Sequence, residues 1–247
     1  MVIFGFHAVM ARLRRAPDSV SELYLDAARH DPRMRELSKL ADVAGLRVHA
    51  VEAQRLERLC PRQRHQGVVA MVEASPVAVS LEQLLDTLVE PFTLLLLDGV
   101  TDPRNLGACL RVADGAGVAA VIAPKDHAVG LTEVAVQTSS GASEHVPYIM
   151  VTNLARTIDQ LQEAFIQVIG TADEAEASVH DLSLGSRLAW VLGAEGKGLR
   201  RLTRERCDQL VRIPMLGQVS SLNVSVAAGV VLYETVRQRS RPVPPKI

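Results

Sequence analysis

The sequence predicts an α/β protein in two units: a small α/β domain over residues 1–74 and a larger domain over residues 92–247 built on a mostly parallel sheet, with residues 75–91 as linker. Two observations predict it. Beyond residue 92, apolar runs of strand length recur: Thr93 to Gly99 (TLLLLDG), Val118 to Pro124 (VAAVIAP), Phe165 to Ala172 (FIQVIGTA) and Leu188 to Glu195 (LAWVLGAE). A continuous apolar run suits a strand covered on both faces, and the helix-like stretches between the runs (about Asn105 to Gly115, Asn153 to Ala164 and Leu199 to Cys207) give the alternation of a parallel sheet. Ahead of it, the stretch ASPVAVSLEQLLDTLVEP is marked near both ends by proline and holds one short amphipathic helix, which marks a change of unit.

In the small unit, Ala8 to Ala16 is helix-like, Glu22 to Asp26 is a short strand, and Pro32 to Ala44 is a helix ended by Gly45. Leu46 to Val51 alternates as a strand does, Val51 to Cys60 is a helix stopped by Pro61, and Gly67 to Val72 is a last, buried strand. At the other end, Ile213 to Ser225 (IPMLGQVSSLNVS) joins an apolar, β-like end at Leu210 to Pro214 to a nearly charge-free helix, Ser225 to Val236. The joint, with Gly217, Ser220, Ser221 and Asn223, is expected inside the protein, where polar groups at a helix mouth need partners or a polar ligand. The plainer alternative is that Ser220 or Ser221 only caps the helix.

Composition narrows the function. A chain of 247 residues, 48% hydrophobic, has ample material for a core. Aromatics at 3% argue against base stacking as the main grip on nucleic acid, and a net charge of −1 argues against a non-specific polyanion binder. The charge is uneven, with 12 Lys and Arg against 9 Asp and Glu in residues 1–74, where Arg12, Arg14 and Arg15 cluster, as do Arg55, Arg58, Arg62 and Arg64. Guanidinium groups suit phosphate oxygens. Cys60, Cys109 and Cys207 lack metal spacing, so buried thiols in a reducing compartment and no metal site are expected. The first residues are a poor signal peptide and no run suits a membrane span, so the expected location is the cytoplasm.

Ligands of parallel sheets gather beyond the C-terminal strand ends, and three motifs fall there. Asp98 to Arg111 (DGVTDPRNLGACLR) brings Asn105, Gly107 and Arg111; Asn105 and Arg111, six residues apart, converge only if Asn105 is still in loop. Gly193 to Gly198 (GAEGKG) sets one acid, Glu195, in a tightly bent backbone and matches neither the dinucleotide nor the ATP glycine pattern. The third is the Gly217 to Asn223 joint.

In this order and spacing, the three motifs resemble the SpoU family of RNA ribose 2′-O-methyltransferases, in the SPOUT superfamily; the likeness runs from Thr93 to about Arg239. GFHAV (Gly5 to Val9) and HQGVVA (His65 to Ala70) likewise resemble the substrate-binding domain of bacterial 23S ribosomal RNA guanosine-2′-O-methyltransferases. The resemblance implies a deep C-terminal trefoil knot around Ile213 to Ser225, a small domain like ribosomal protein L30e that grips RNA, and a homodimer through the C-terminal domain, with the charge-poor final helix as its face. It implies S-adenosylmethionine as methyl donor, held at Gly193, Ile213 and Leu222 largely by main chain, and no metal. It places Asn105, Arg111, Glu195, Ser221 and Asn223 in the catalytic site. The stretch Val134 to Glu144 keeps the family's Gly-Ala and acidic ending but lacks basic residues that some relatives carry.

In such a reaction a ribose 2′-oxygen displaces the methyl from a sulfonium, so the hydroxyl must be oriented and its proton accommodated. Asn105 and Asn223 can fix ribose or donor, Ser221 offers a hydroxyl, and Glu195 can accept a hydrogen bond or hold Arg111. The resemblance makes Arg111 the base, but a guanidinium that is always protonated serves better as a phosphate clamp. The alternatives are methylation of transfer RNA or of another ribosomal loop, and a non-catalytic RNA-binding protein, which leaves the strand-end residues without purpose. A nicotinamide oxidoreductase fails on its glycine fingerprint.

Overall fold

A computed structural model describes residues 2–61, 65–73 and 80–240, without the Arg15 side chain; Arg62, Arg64 and much of the expected linker lie outside the described residues. The first sheet has four strands, β1 (Val2–Phe4), β2 (Val20–Asp26), β3 (Val48–Val51) and β4 (Val68–Val72), in the order β1-β4-β2-β3. β2 and β3 run parallel, and β4 is antiparallel to β1 and β2. Three helices cover it: α1 (Phe6–Arg15), α2 (Pro32–Val43) and α3 (Ala53–Leu59). Asp31 caps α2 by accepting from Arg33 N and Met34 N, Pro32 opens it, and Gly45 at φ 66° turns the chain out of it. β1, only three residues long, is absent from the sequence reading.

The second sheet is entirely parallel. Its strands are β5 (Phe92–Asp98), β6 (Ala120–Pro124), β7 (Tyr148–Val151), β8 (Gln167–Thr171), β9 (Arg187–Gly193) and β10 (Gln209–Val211), ordered β10-β8-β9-β5-β6-β7. α4 (Leu81–Thr87), α5 (Pro103–Gly115), α6 (Glu133–Thr138), α7 (Leu154–Glu163), α8 (Arg201–Arg206) and α9 (Val224–Arg239) complete the unit. Alternation within β5 separates two cores: Leu95 and Leu97 face α5 and α9, with Trp190 and Leu192, while Leu94 and Leu96 face α4 and α7, with Ile158 and Val191. Leu81 and Leu84 belong to that second core, so the helix read as part of the linker covers the large sheet. Trp190 Nε1 donates to Thr235 Oγ1 at 2.9 Å, and Arg239 donates to the carbonyls of Phe92, Gly185 and Ser186, which fastens the C-terminal end of α9 to the sheet.

The two units touch through α6 and the 3-10 turn Ala142–Glu144. Val136 is buried in the small domain's core beside Ile3, Val9 and Leu37. Arg12, read as a phosphate-facing residue, is instead 1% exposed and ion-paired with Glu144, because α1 turns that side into the domain junction and the partner carboxylate comes from 132 residues away. Arg14 pairs with Glu36 at the surface.

Candidate active site

Three loops meet beyond the C-terminal ends of β5, β9 and β10. Asp98 closes β5, is 1% exposed, and accepts from Arg200 N at 2.9 Å and Arg200 Nε at 2.7 Å. That contact anchors the far end of the loop that follows β9. The loop folds back on itself, with Gly198 N donating to Ala194 O at 2.9 Å and Gly196 and Gly198 at φ 72° and 63°. A Cβ on Gly193 would collide with the Gly198 backbone, so this glycine makes room for the loop's own closure.

The loop presents Glu195 to two amides. Glu195 Oε1 accepts from Asn105 Nδ2 at 3.2 Å, from Asn223 Nδ2, and from Val224 N at 3.4 Å. Asn223 Nδ2 also donates to Asn105 Oδ1 at 3.0 Å, and Asn223 Oδ1 accepts from Ser225 N at 2.9 Å. Asn223 is thus the cap of α9, in place of Ser220 or Ser221, and shares its amide with the catalytic-site candidates. Among the described residues no donor reaches Glu195 Oε2, so one carboxylate oxygen stays open to a ligand.

Asn105 lies inside the first turn of α5, which Asp102 caps, and not in loop. Six residues of helix carry Arg111 about 120° away from Asn105 around the axis. Arg111 is exposed, and no described contact joins it to Glu195. Ser221 is exposed beside the cleft. The segment expected inside is largely open in the single chain: Leu216 is fully exposed and Val219 67% exposed, because the segment borders a cleft and not a packed core.

That cleft holds about 310 Å³ next to the Asn105–Glu195–Asn223 cluster. Gly193, Ile213 and Leu222 all line it, with Leu192, Val224 and Ala227 as further apolar wall. Thr171, which ends β8, Asp173 and Glu174 just after it, and Lys197 and Arg204 line it too. None of these stands out in the sequence, although the rule of strand C-terminal ends applies to β8 as well. Cys109, on the buried face of α5, has its thiol pushed up to about 12 by burial, which leaves it inert packing. His65 Nδ1 accepts from Gly67 N at 3.1 Å and so shapes a turn, while His7 is exposed. Among the described residues no group of three or more His, Cys, Asp and Glu could hold a metal ion, and no helix is long and apolar enough to cross a membrane.

Two family models match the chain. Residues 92–233 match the SpoU rRNA Methylase family, and residues 2–78 match the RNA 2′-O ribose methyltransferase substrate-binding family. The chain is 57% identical over 238 residues (96% of this chain, 97% of the relative) to the 23S rRNA (guanosine-2′-O-)-methyltransferase RlmB of Bordetella pertussis. It is 56% identical over 239 residues (97% of this chain, 96% of the relative) to RlmB of Ralstonia nicotianae. The crystal structure of the SpoU methyltransferase AviRb from Streptomyces viridochromogenes in complex with the cofactor AdoMet superposes with a TM-score of 0.79 at 28% identity, over 97% of this chain and 90% of that one. With residues 92–233 matched by that family and relatives 57% identical along nearly the whole chain, the chain belongs to the SpoU rRNA methylase family.

Proposed function

We propose that the protein transfers a methyl group from S-adenosylmethionine to the ribose 2′-hydroxyl of a guanosine in 23S ribosomal RNA. The observation that carries the reading is the Asn105–Glu195–Asn223 cluster at the rim of the cleft, supported by relatives of the same two-domain build whose name is that activity. The cleft suits the donor: Ile213, Leu222 and Val224 offer apolar wall to an adenosyl group, and the bent Gly193 to Gly198 loop offers main-chain polar groups without bulk. When bound there, the donor supplies an electrophilic methyl.

The chain's own residues handle the hydroxyl. Asn105 and Asn223 hold Glu195 by one oxygen, so Oε2 accepts the hydrogen of the attacking 2′-hydroxyl and orients it. Ser221 donates to the ligand from the cleft's edge. Arg111 stays charged and clamps a phosphate of the RNA, which stabilises developing negative charge on the oxygen. Its exposure and its angular distance from Asn105 fit a site completed by a second protomer. A homodimer through α9 supplies that copy, since Val226 and Tyr233, seven residues apart on one side of the helix, are 51% and 52% exposed. The segment Ile213 to Ser225, which leads from edge strand β10 back to α9, follows the threaded path of the trefoil knot in this reading. Residues 1–74 hold the RNA and residues 75–91 join the domains. The protein works in the cytoplasm, where ribosomal RNA is modified.

Labelled methyl transfer to 23S and transfer RNA transcripts, mapped by resistance to alkaline cleavage, tests the reading. One resistant ribose in 23S RNA, lost in Asn105→Ala, is the expected result; label confined to transfer RNA overturns the target, and cofactor binding without transfer to either overturns the reaction. Arg111→Lys is expected to lose most activity, and near-full activity there would exclude a bidentate clamp.

A further inference from the structure

The segment Glu133–Glu144 has neighbours in both domains. On the catalytic side it lies so close to α5 that a Cβ on Gly107 would stand 2.6 Å from Thr138 Cβ, and Gly107 follows Asn105 by two residues. On the other side, Val136 is buried in the small domain's core, and a Cβ on Gly141 would stand 3.2 Å from the His7 carbonyl oxygen. Between them runs a buried fork. Arg12, 1% exposed, donates from Nη2 to Glu144 Oε1 at 3.1 Å and from Nε to Glu144 Oε2, with Glu144 3% exposed. Arg12 Nη1 donates onward to Ser19 Oγ at 3.1 Å and to the Glu73 carbonyl at 3.3 Å.

A buried ion pair is a poor stabiliser, because desolvation offsets its attraction, but a planar fork on a carboxylate is satisfied in one orientation only. We propose that Arg12 is a positioning residue for methyl transfer: its fork on Glu144 fixes the small domain against α6, and through Gly107 against α5, so that RNA held by the small domain arrives in register with Asn105 and Glu195. This rests on the small domain being the part that holds the RNA.

The test uses full-length Arg12→Met/Glu144→Met, which replaces the pair by apolar side chains of similar length, and Arg12→Lys, which keeps the charge and loses the fork. Two readouts are taken: kcat/KM for 23S RNA beside the Kd for S-adenosylmethionine, and amide hydrogen exchange across residues 139–146. The expected result is a kcat/KM at least about tenfold lower in both variants, as misplaced substrates show, with unchanged cofactor Kd and faster exchange across the turn. Wild-type kcat/KM with wild-type protection overturns the proposal, as does cofactor affinity falling in step with activity. If the wild-type protein leaves 23S RNA unmethylated, the functional reading fails instead, and the exchange data still decide whether the fork pins the domains.

Discussion

The domain junction and the strand-end cluster both gather carboxylates with their donors, yet they are built on opposite terms. At the junction, Arg12 and Glu144 are 1% and 3% exposed and meet fork to carboxylate. At the strand ends, Glu195 is exposed, takes its donors on one oxygen and leaves the other open. A buried polar group must be matched by the protein itself, whereas a group that serves a ligand must keep part of its bonding capacity unspent. Burial and matching therefore suit the first to holding the fold, and exposure with surplus capacity suits the second to the chemistry proposed for it.

The largest effect that can break this comparison lies at the junction. Arg12→Ala withdraws the guanidinium from a buried carboxylate and is expected to destabilise by about 3–5 kcal/mol, read by denaturant unfolding. A loss below about 1 kcal/mol would mean that water enters the junction freely, as at surface pairs. At the strand ends the order of effects reverses: Asn105→Ala is expected to reduce methyl transfer by about a hundredfold through lost orientation, with little change in Tm. If Tm instead falls with activity, the cluster is a fold element and the contrast fails.

Gly141→Ala sharpens the picture at the junction. Gly141 sits at φ 98°, and its added Cβ would stand 3.2 Å from the His7 oxygen, so a cost of about 1–3 kcal/mol is expected. Gly196→Ala, also at positive φ but with nothing within 4 Å, carries only the backbone part of that cost and is expected to be milder. The smallest effect concerns Glu234 on α9, whose carboxyl Arg237, then Gln238 and His180, hold down at about 2 against an ordinary 4.5. Its contribution to stability is in place above the ordinary value and lost as pH falls through about 2. Glu234→Gln is expected to flatten the dependence of Tm on pH across that window.

The sequence shows most of what burial writes into it. Continuous apolar runs locate β5, β6, β8 and β9, because each is covered on both faces. β1, β7 and α6 are three, four and six residues long, too short for a period to declare itself. Residue types at the site are legible because glycines and amides at strand ends are chemically distinctive. Their convergence is not, since Asn105 meets Glu195 across 90 residues and Asn223 meets Asn105 across 118. Arg12 shows the reverse error: an arginine cluster reads as phosphate-facing until the fold supplies a carboxylate from 132 residues away. The joint from Ile213 to Ser225 reads as interior from its apolar residues, but such a pattern does not distinguish a packed core from a face that awaits a ligand or a second copy.

The most direct measurement is made on Glu195→Gln, which keeps the side chain's shape and removes its charge: methyl transfer to 23S RNA, cofactor Kd and Tm, all on one preparation. Methyl transfer is expected to fall by about a hundredfold with Kd and Tm unchanged. Wild-type transfer, or a loss of activity that only tracks a fall in Tm, would contradict it.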